Sequence, residues 1–70
     1  MTEVTITSEY IRLDQFLKFA GIAQTGGAAK DMIAAGEVVI DEQPVLQRGK
    51  KLRDGCVLRA AGALYRVRGE

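Results

Sequence analysis

Four cationic side chains fall within six consecutive positions of the chain, and the chemistry they offer is the binding of anions. Arg48, Lys50, Lys51 and Arg53 surround Gly49 in this segment. Lysine and arginine bind polyanions because they displace the counterions that condense on phosphate groups. The segment therefore predicts a phosphate-binding surface.

The distribution of charge along the chain supports this interpretation. Residues 1–46 hold three basic and seven acidic residues, net −4, whereas residues 47–70 hold seven basic and two acidic residues, net +5. A basic face on a nearly neutral protein attracts polyanions locally. The alternative is a strand surface that is positive only to maintain solubility.

Catalysis and metal binding find little support in the composition. The chain has no histidine and one cysteine, Cys56, which excludes an internal disulfide and a Cys/His zinc site. Cys56 falls in an apolar segment that reads as a strand, and buried cysteines are ordinarily inert. We expect no catalytic residue, no cofactor and no metal.

The chain also carries no signal that would direct it to a membrane. Its first residues lack the basic and apolar regions of a secretory signal, and no apolar run approaches about 18 residues. We expect a cytoplasmic protein.

Two short helices precede the basic segment. Apolar residues at positions 13, 16, 17 and 20 recur with helical spacing, and Gly21 is expected to end this helix. Thr25 is a plausible N-cap for a second helix that buries Ala28, Ala29, Met32 and Ile33 and ends at Gly36. Helices this short are unstable alone, so they must pack on each other and on a sheet.

Strand patterns surround these helices. Residues 3–7 alternate as a strand, which we place at the edge of a sheet. After Gly36, Val38 and Ile40 alternate with Val39 and Asp41, and Asp41-Glu42 forms the turn of a first hairpin. Residues 56–60 and 63–67 flank Gly62 as a second hairpin, and residues 47–55 form the polar stretch between the hairpins. The fold class is therefore α+β, with one domain over residues 1–70.

Three blocks of sequence resemble the RNA-binding domain first described in ribosomal small-subunit protein four, also called the alpha-L RNA-binding motif. They span about residues 10–60 in the family's order and spacing, and the short stand-alone YaaA-like members are the most similar. The blocks are Arg12-Leu13-Asp14 with Leu17-Lys18, Ala29-Lys30 with Ile33, Gly36, Val38 and Ile40, and Gly49-Lys50-Lys51-Leu52 with Gly55 and Val57.

The resemblance implies a two-helix hairpin packed on short twisted β-hairpins, and binding of structured ribosomal or transfer RNA in ribosome assembly or translation. RNA recognition of this kind rests on backbone shape and phosphates. We expect a monomer without a small-molecule substrate. The expected RNA-binding residues are Arg12, Thr25, Gly26, Gly27, Lys30, Arg48, Lys50, Lys51 and Arg53.

Alternatives remain for several of these features. Thr25-Gly26-Gly27 begins a helix and is a candidate phosphate seat, although the two glycines are also explained by a tight turn. Asp14 precedes Lys18 by four residues, which predicts a surface ion pair between them. A protein-interaction module that binds an acidic partner through the same basic face would show the same charge pattern.

The aromatic residues give a weaker indication of RNA binding. Phe16 belongs to the apolar stripe of the first helix, whereas Phe19 is expected to be partly exposed. Tyr65 is expected to make cross-strand contacts in the last hairpin. The sequence assigns neither Phe19 nor Tyr65 a role in base stacking.

Overall fold

The computed structural model describes all residues from 1 to 70. Two helices and seven strands confirm the α+β class. No helix has both the length and the apolar character needed to span a membrane. In chain order the elements are β1 (Thr2–Ile6), β2 (Ile11–Arg12), α1 (Leu13–Phe19), α2 (Gly26–Ala34), β3 (Val39–Ile40), β4 (Gln43–Pro44), β5 (Lys51–Leu52), β6 (Val57–Ala60) and β7 (Ala63–Gly69).

The helix ends are set by local signals in the sequence. Gly21 and Gly36 adopt left-handed backbone conformations, with φ of 76° and 74°, just beyond the ends of α1 and α2. The Thr25 hydroxyl accepts a hydrogen bond of 3.0 Å from the backbone N–H of Ala28 and so caps α2. These boundaries match the predicted ones to within one or two residues.

The core lies between the helices and the sheet. Leu13, Phe16 and Leu17 of α1 are fully buried, which confirms the predicted phase of this helix. Ala28 and Met32 are only partly buried and pack at the edge of the core. The 13 core residues are Ile6, Leu13, Phe16, Leu17, Ala23, Ala29, Ile33, Val38, Ile40, Leu52, Leu58, Ala60 and Val67.

The main sheet has five strands in the order β1-β7-β6-β3-β4. Both predicted hairpins are present in it, β3 with β4 and β6 with β7. The first hairpin turns through Asp41 and Glu42, which have positive φ of 52° and 67°. β1 is an edge strand, as expected, and it runs parallel to β7.

A second sheet of two strands was not predicted. β2 pairs antiparallel with β5, with Ile11 opposite Leu52 and Arg12 opposite Lys51. The interpretation of residues 47–55 as a polar connection was therefore incomplete, because Leu52 is fully buried. A single apolar residue in a basic segment gives too little periodicity to indicate a strand.

Candidate functional site

The two-stranded sheet arranges one aromatic and three cationic side chains on its outer face. Ile11 and Leu52 point inward, so Arg12 and Lys51 point to solvent because side chains alternate along strands. Tyr10 and Arg53 extend the same face by one residue pair. We call Tyr10, Arg12, Lys51 and Arg53 the ladder face.

Tyr10 contacts two of the cations on the ladder face. The Lys51 Nζ atom lies 4.7 Å from the centroid of the Tyr10 ring, and the Arg53 Cζ atom lies 5.4 Å from it. Both distances fall within the roughly 6 Å range of cation–π attraction. The ring therefore holds the two cations at one place on the surface.

A loop of residues 48–50, which we call the basic loop, closes over the start of α1. The backbone N–H of Leu13 donates to the carbonyl of Lys50 at 2.8 Å, and that of Asp14 donates to the carbonyl of Arg48 at 3.1 Å. The first N–H groups of a helix have no partner within it, and Arg12 supplies no side-chain cap here. The carbonyls of the basic loop accept hydrogen bonds from these N–H groups. These bonds hold the main chain of Arg48 and Lys50 beside the ladder face.

Asp14 forms an ion pair inside this basic region. Its carboxylate accepts hydrogen bonds from Arg12 Nε at 3.3 Å, from Arg12 Nη2 at 3.0 Å and from the Gln15 backbone N–H at 2.9 Å. The bond to Arg12 is the main reason that the pKa of Asp14 is lowered, and the same bond raises the pKa of Arg12. Arg12 is thus exposed but partly neutralised.

The expected ion pair between Asp14 and Lys18 is wrong. Asp14 lies in the first turn of α1, and helical side chains lean toward the N-terminus of the helix. This direction brings the carboxylate to Arg12 and to the free N–H of Gln15. Lys18 makes no ion pair.

Arg48, Lys50, Lys51 and Arg53 also have no carboxylate within ion-pair distance, and all four are exposed. Four unneutralised cations therefore surround the start of α1. A shallow depression lined by Arg12, Asp14, Arg48 and Gly49 lies between them.

The positive charge of the last strands is partly offset in space. The Glu3 carboxylate on β1 lies 3.2 Å from Arg68 Nη1 and 3.6 Å from Arg66 Nη1. Asp54 Oδ1 lies 4.0 Å from Arg68 Nε. The separation of negative and positive charge along the sequence is therefore greater than their separation on the surface, because β1 places the acidic residue Glu3 beside β7.

The remaining expected site residues lie on α2. Gly26 and Gly27 are its first two residues, neither has a positive φ, and a Cβ atom on Gly26 would meet no other atom within 4 Å. The two glycines are therefore not explained by a turn that needs a left-handed backbone. The glycine with positive φ between the two helices is Gly21. Lys30 is exposed, and no hydrogen bond or ion pair joins it to the basic loop.

The structure thus brings together five of the nine expected residues, and it adds Tyr10, which is not among the nine. The signal was present in the alternation of Tyr10, Ile11 and Arg12, which places the first and third side chains on one face of a strand. Two strand residues are too few to be recognised by pattern alone.

The one cysteine of the chain belongs to neither the ladder face nor the basic loop. Cys56 is half-buried directly before β6, and desolvation raises the pKa of its thiol. No group of three or more His, Cys, Asp or Glu residues is arranged to hold a metal ion.

Comparison with known proteins identifies related sequences. A family model described as the S4 domain matches residues 4–68. The "Probable ribosome maturation protein RlbA" of Bacillus subtilis strain 168 is 41% identical over 59 residues, which cover 84% of this chain and 83% of that protein.

Proposed function

Because the chain belongs to the S4 domain family, we propose that it binds structured RNA, ribosomal or transfer, without catalysing a reaction on it, in ribosome assembly or translation. The similarity to a protein named for ribosome maturation supports the ribosomal context and a cytoplasmic location. The observation that carries the proposal is the set of four cations without carboxylate partners around the start of α1.

In this proposal the basic loop and the ladder face contact the RNA backbone. Arg48, Lys50, Lys51 and Arg53 supply phosphate contacts, and Arg12 supplies a fifth when it is released from Asp14. Such contacts orient a protein on RNA without reading its sequence. The fixed main chain of the basic loop favours recognition of RNA shape.

The start of α2 is proposed as a second contact. Its unpaired N–H groups and positive dipole end favour a phosphate. Gly26 leaves open space where a side chain would stand, so a phosphate can approach the backbone closely. Thr25 and Lys30 flank this position.

Charge reversal in the basic segment tests the assigned surface. Replacing Lys50 and Lys51 together with Glu is expected to lower the affinity for ribosomal RNA at least tenfold, because two phosphate contacts become repulsive. Both side chains are exposed, so the folded domain should persist. Affinity is measured by fluorescence anisotropy and folding by circular dichroism.

A matched pair of single variants controls for net charge. Lys51→Glu and Arg59→Glu make the same change in charge at exposed, unpaired cations. Arg59 lies on β6 and lines a depression with Asp41 and Glu42 that includes no residue of the basic loop or of the ladder face. Equal losses of RNA affinity in both variants would contradict the assigned surface.

The partner itself is identified by sedimentation of the tagged protein through a gradient of cell lysate, with and without ribonuclease. Comigration with ribosomal particles that ribonuclease abolishes, together with crosslinking to one RNA region, is the expected result. A stoichiometric complex that ribonuclease does not affect would instead indicate an acidic protein partner.

A further inference from the structure

Two exposed aromatic rings line one groove beside the ladder face. Of the four aromatic residues in the chain, Phe16 is buried in the core and the partly buried Tyr65 packs edge to face against it, with ring centroids 6.3 Å apart. Tyr10 and Phe19 instead border the same open groove of about 520 Å³, and Phe19 is 62% exposed. A phenylalanine this exposed is not explained by the packing of the domain.

The groove is formed by two segments with defined positions. Ser8 and Tyr10 come from the turn before β2, which is held by a 2.7 Å hydrogen bond from the Ser8 hydroxyl to the Tyr10 carbonyl. Gln15, Lys18 and Phe19 come from the face of α1 opposite its buried stripe. The groove walls therefore come from the turn before β2 and from α1.

The chemistry of the groove is that of a nucleotide site. Its aromatic rings offer flat apolar surface, and the side-chain amide of Gln15 and the hydroxyl of Ser8 offer both donors and acceptors. The Tyr10 ring also holds Lys51 and Arg53, so the groove continues directly into the cationic surface. A nucleotide presents the complementary pair, a flat base with polar edges and an anionic phosphate a few bonds away.

We propose that this groove binds one unpaired base of the RNA, stacked against Phe19 and Tyr10, while the adjoining phosphate contacts Lys51 and Arg53. The inference rests on the proposed function and narrows it to structured RNA with a bulged or looped-out nucleotide. Unpaired bases are the parts of RNA that aromatic side chains reach. The cations favour this occupant over an apolar peptide, which would leave them unmatched.

Three RNA hairpins test the inference. One carries a single bulged uridine, the second is fully paired, and the third has an abasic site at the bulge. Stacking of one base in the groove is expected to make the wild-type protein bind the bulged hairpin about tenfold more tightly than the other two. Equal affinity for all three would overturn the inference.

Variants at Phe19 assign the effect to the groove. Phe19→Ala should remove the tenfold preference and leave both the affinity for the paired hairpin and the salt dependence unchanged, since no cation is lost. Leu46→Ala removes another exposed apolar side chain, 64% exposed, and should keep the preference. A preference that survives in Phe19→Ala would also overturn the inference.

A spectroscopic signal gives an independent measurement. The chain has no tryptophan, so Phe19→Trp creates a single reporter in the groove. Its emission should be quenched by the bulged hairpin and not by the abasic one, whereas Leu46→Trp should respond to neither. Steeply salt-dependent binding of all hairpins without quenching would overturn the base site and retain the proposed function. Failure to bind any hairpin at low salt would contradict the proposed function itself.

Discussion

Asp14→Asn is expected to strengthen RNA binding, because the Asp14 carboxylate is the only acidic group in ion-pair contact with the proposed surface. The change keeps the size of the side chain, and the amide oxygen can still accept the hydrogen bond from the Gln15 N–H. It removes the negative charge that occupies Arg12. In the proposed surface, Arg12 then becomes a fifth cation available to a phosphate.

The size of the expected change in salt dependence follows from the number of cations that contact phosphates. On a double helix, each phosphate contact steepens the fall of log affinity with log salt by about 0.9. With the four unpaired cations engaged, wild-type affinity should fall about 150-fold between 50 and 200 mM salt, and that of Asp14→Asn about 500-fold. The advantage of the variant over the wild type should therefore shrink about 3.5-fold across this range.

Fluorescence anisotropy with one labelled ribosomal RNA fragment at four salt concentrations measures both slopes. Asp31→Asn is the matched control, because Asp31 is an exposed residue of α2 that makes no ion pair. Its slope should equal that of the wild type. An unchanged slope in Asp14→Asn would refute the reasoning, and a weaker affinity would refute it and indicate instead that Asp14 positions Arg12 for RNA.

The dependence of the free energy of unfolding on acid pH tests the ion pair between Asp14 and Arg12 without RNA. The pKa of Asp14 is lower in the folded chain than in the unfolded chain, so the unfolded state binds more protons between the two values. The stability contributed by Asp14 is thus complete above about pH 4 and is lost as the pH falls through its folded pKa. The stabilities of wild type and Asp14→Asn, measured by urea unfolding, should converge at low pH. A difference in stability between the two proteins that does not change with pH would contradict the ion pair between Asp14 and Arg12.

Two further predictions concern the stability of the fold. Leu17→Ala should reduce the free energy of unfolding by about 2 to 5 kcal/mol, because Leu17 is fully buried. The whole domain has only about 4 to 10 kcal/mol at ordinary stability per residue, so a wild-type urea midpoint would contradict the helix phase. Glu42→Gly should raise the free energy of unfolding by about 1 kcal/mol, since Glu42 has a φ of 67° that glycine adopts without strain. A lower midpoint in that variant would refute the assignment of strain to the turn.

The sequence by itself determined the helices and the two hairpins of the main sheet. The burial of Leu13, Phe16 and Leu17 follows from spacing within a single helix, and Gly21 and Gly36 end their helices through local backbone conformation. Such signals act over a few residues, so they can be read without knowing which elements meet. The resemblance to a known family was likewise carried by short blocks of residues.

The composition of the candidate site depended on contacts between distant parts of the chain. β2 pairs with β5, about 40 residues further along the chain, and this pairing alone places Tyr10 and Arg12 beside Lys51 and Arg53. Neither strand is long enough to reveal a period in sequence. The outward groove with Phe19 became visible only once these segments were brought together.

Tertiary structure also decided which charges remain free. The parallel pairing of β1 with β7 carries Glu3 to Arg66 and Arg68, so the positive charge counted in the last 24 residues is partly cancelled. Because the Asp14 side chain leans toward the start of α1, it pairs with Arg12 and not with Lys18. Charge can be counted along a sequence, but Coulomb attraction depends on distance in space, and that distance is fixed only when the strands pair.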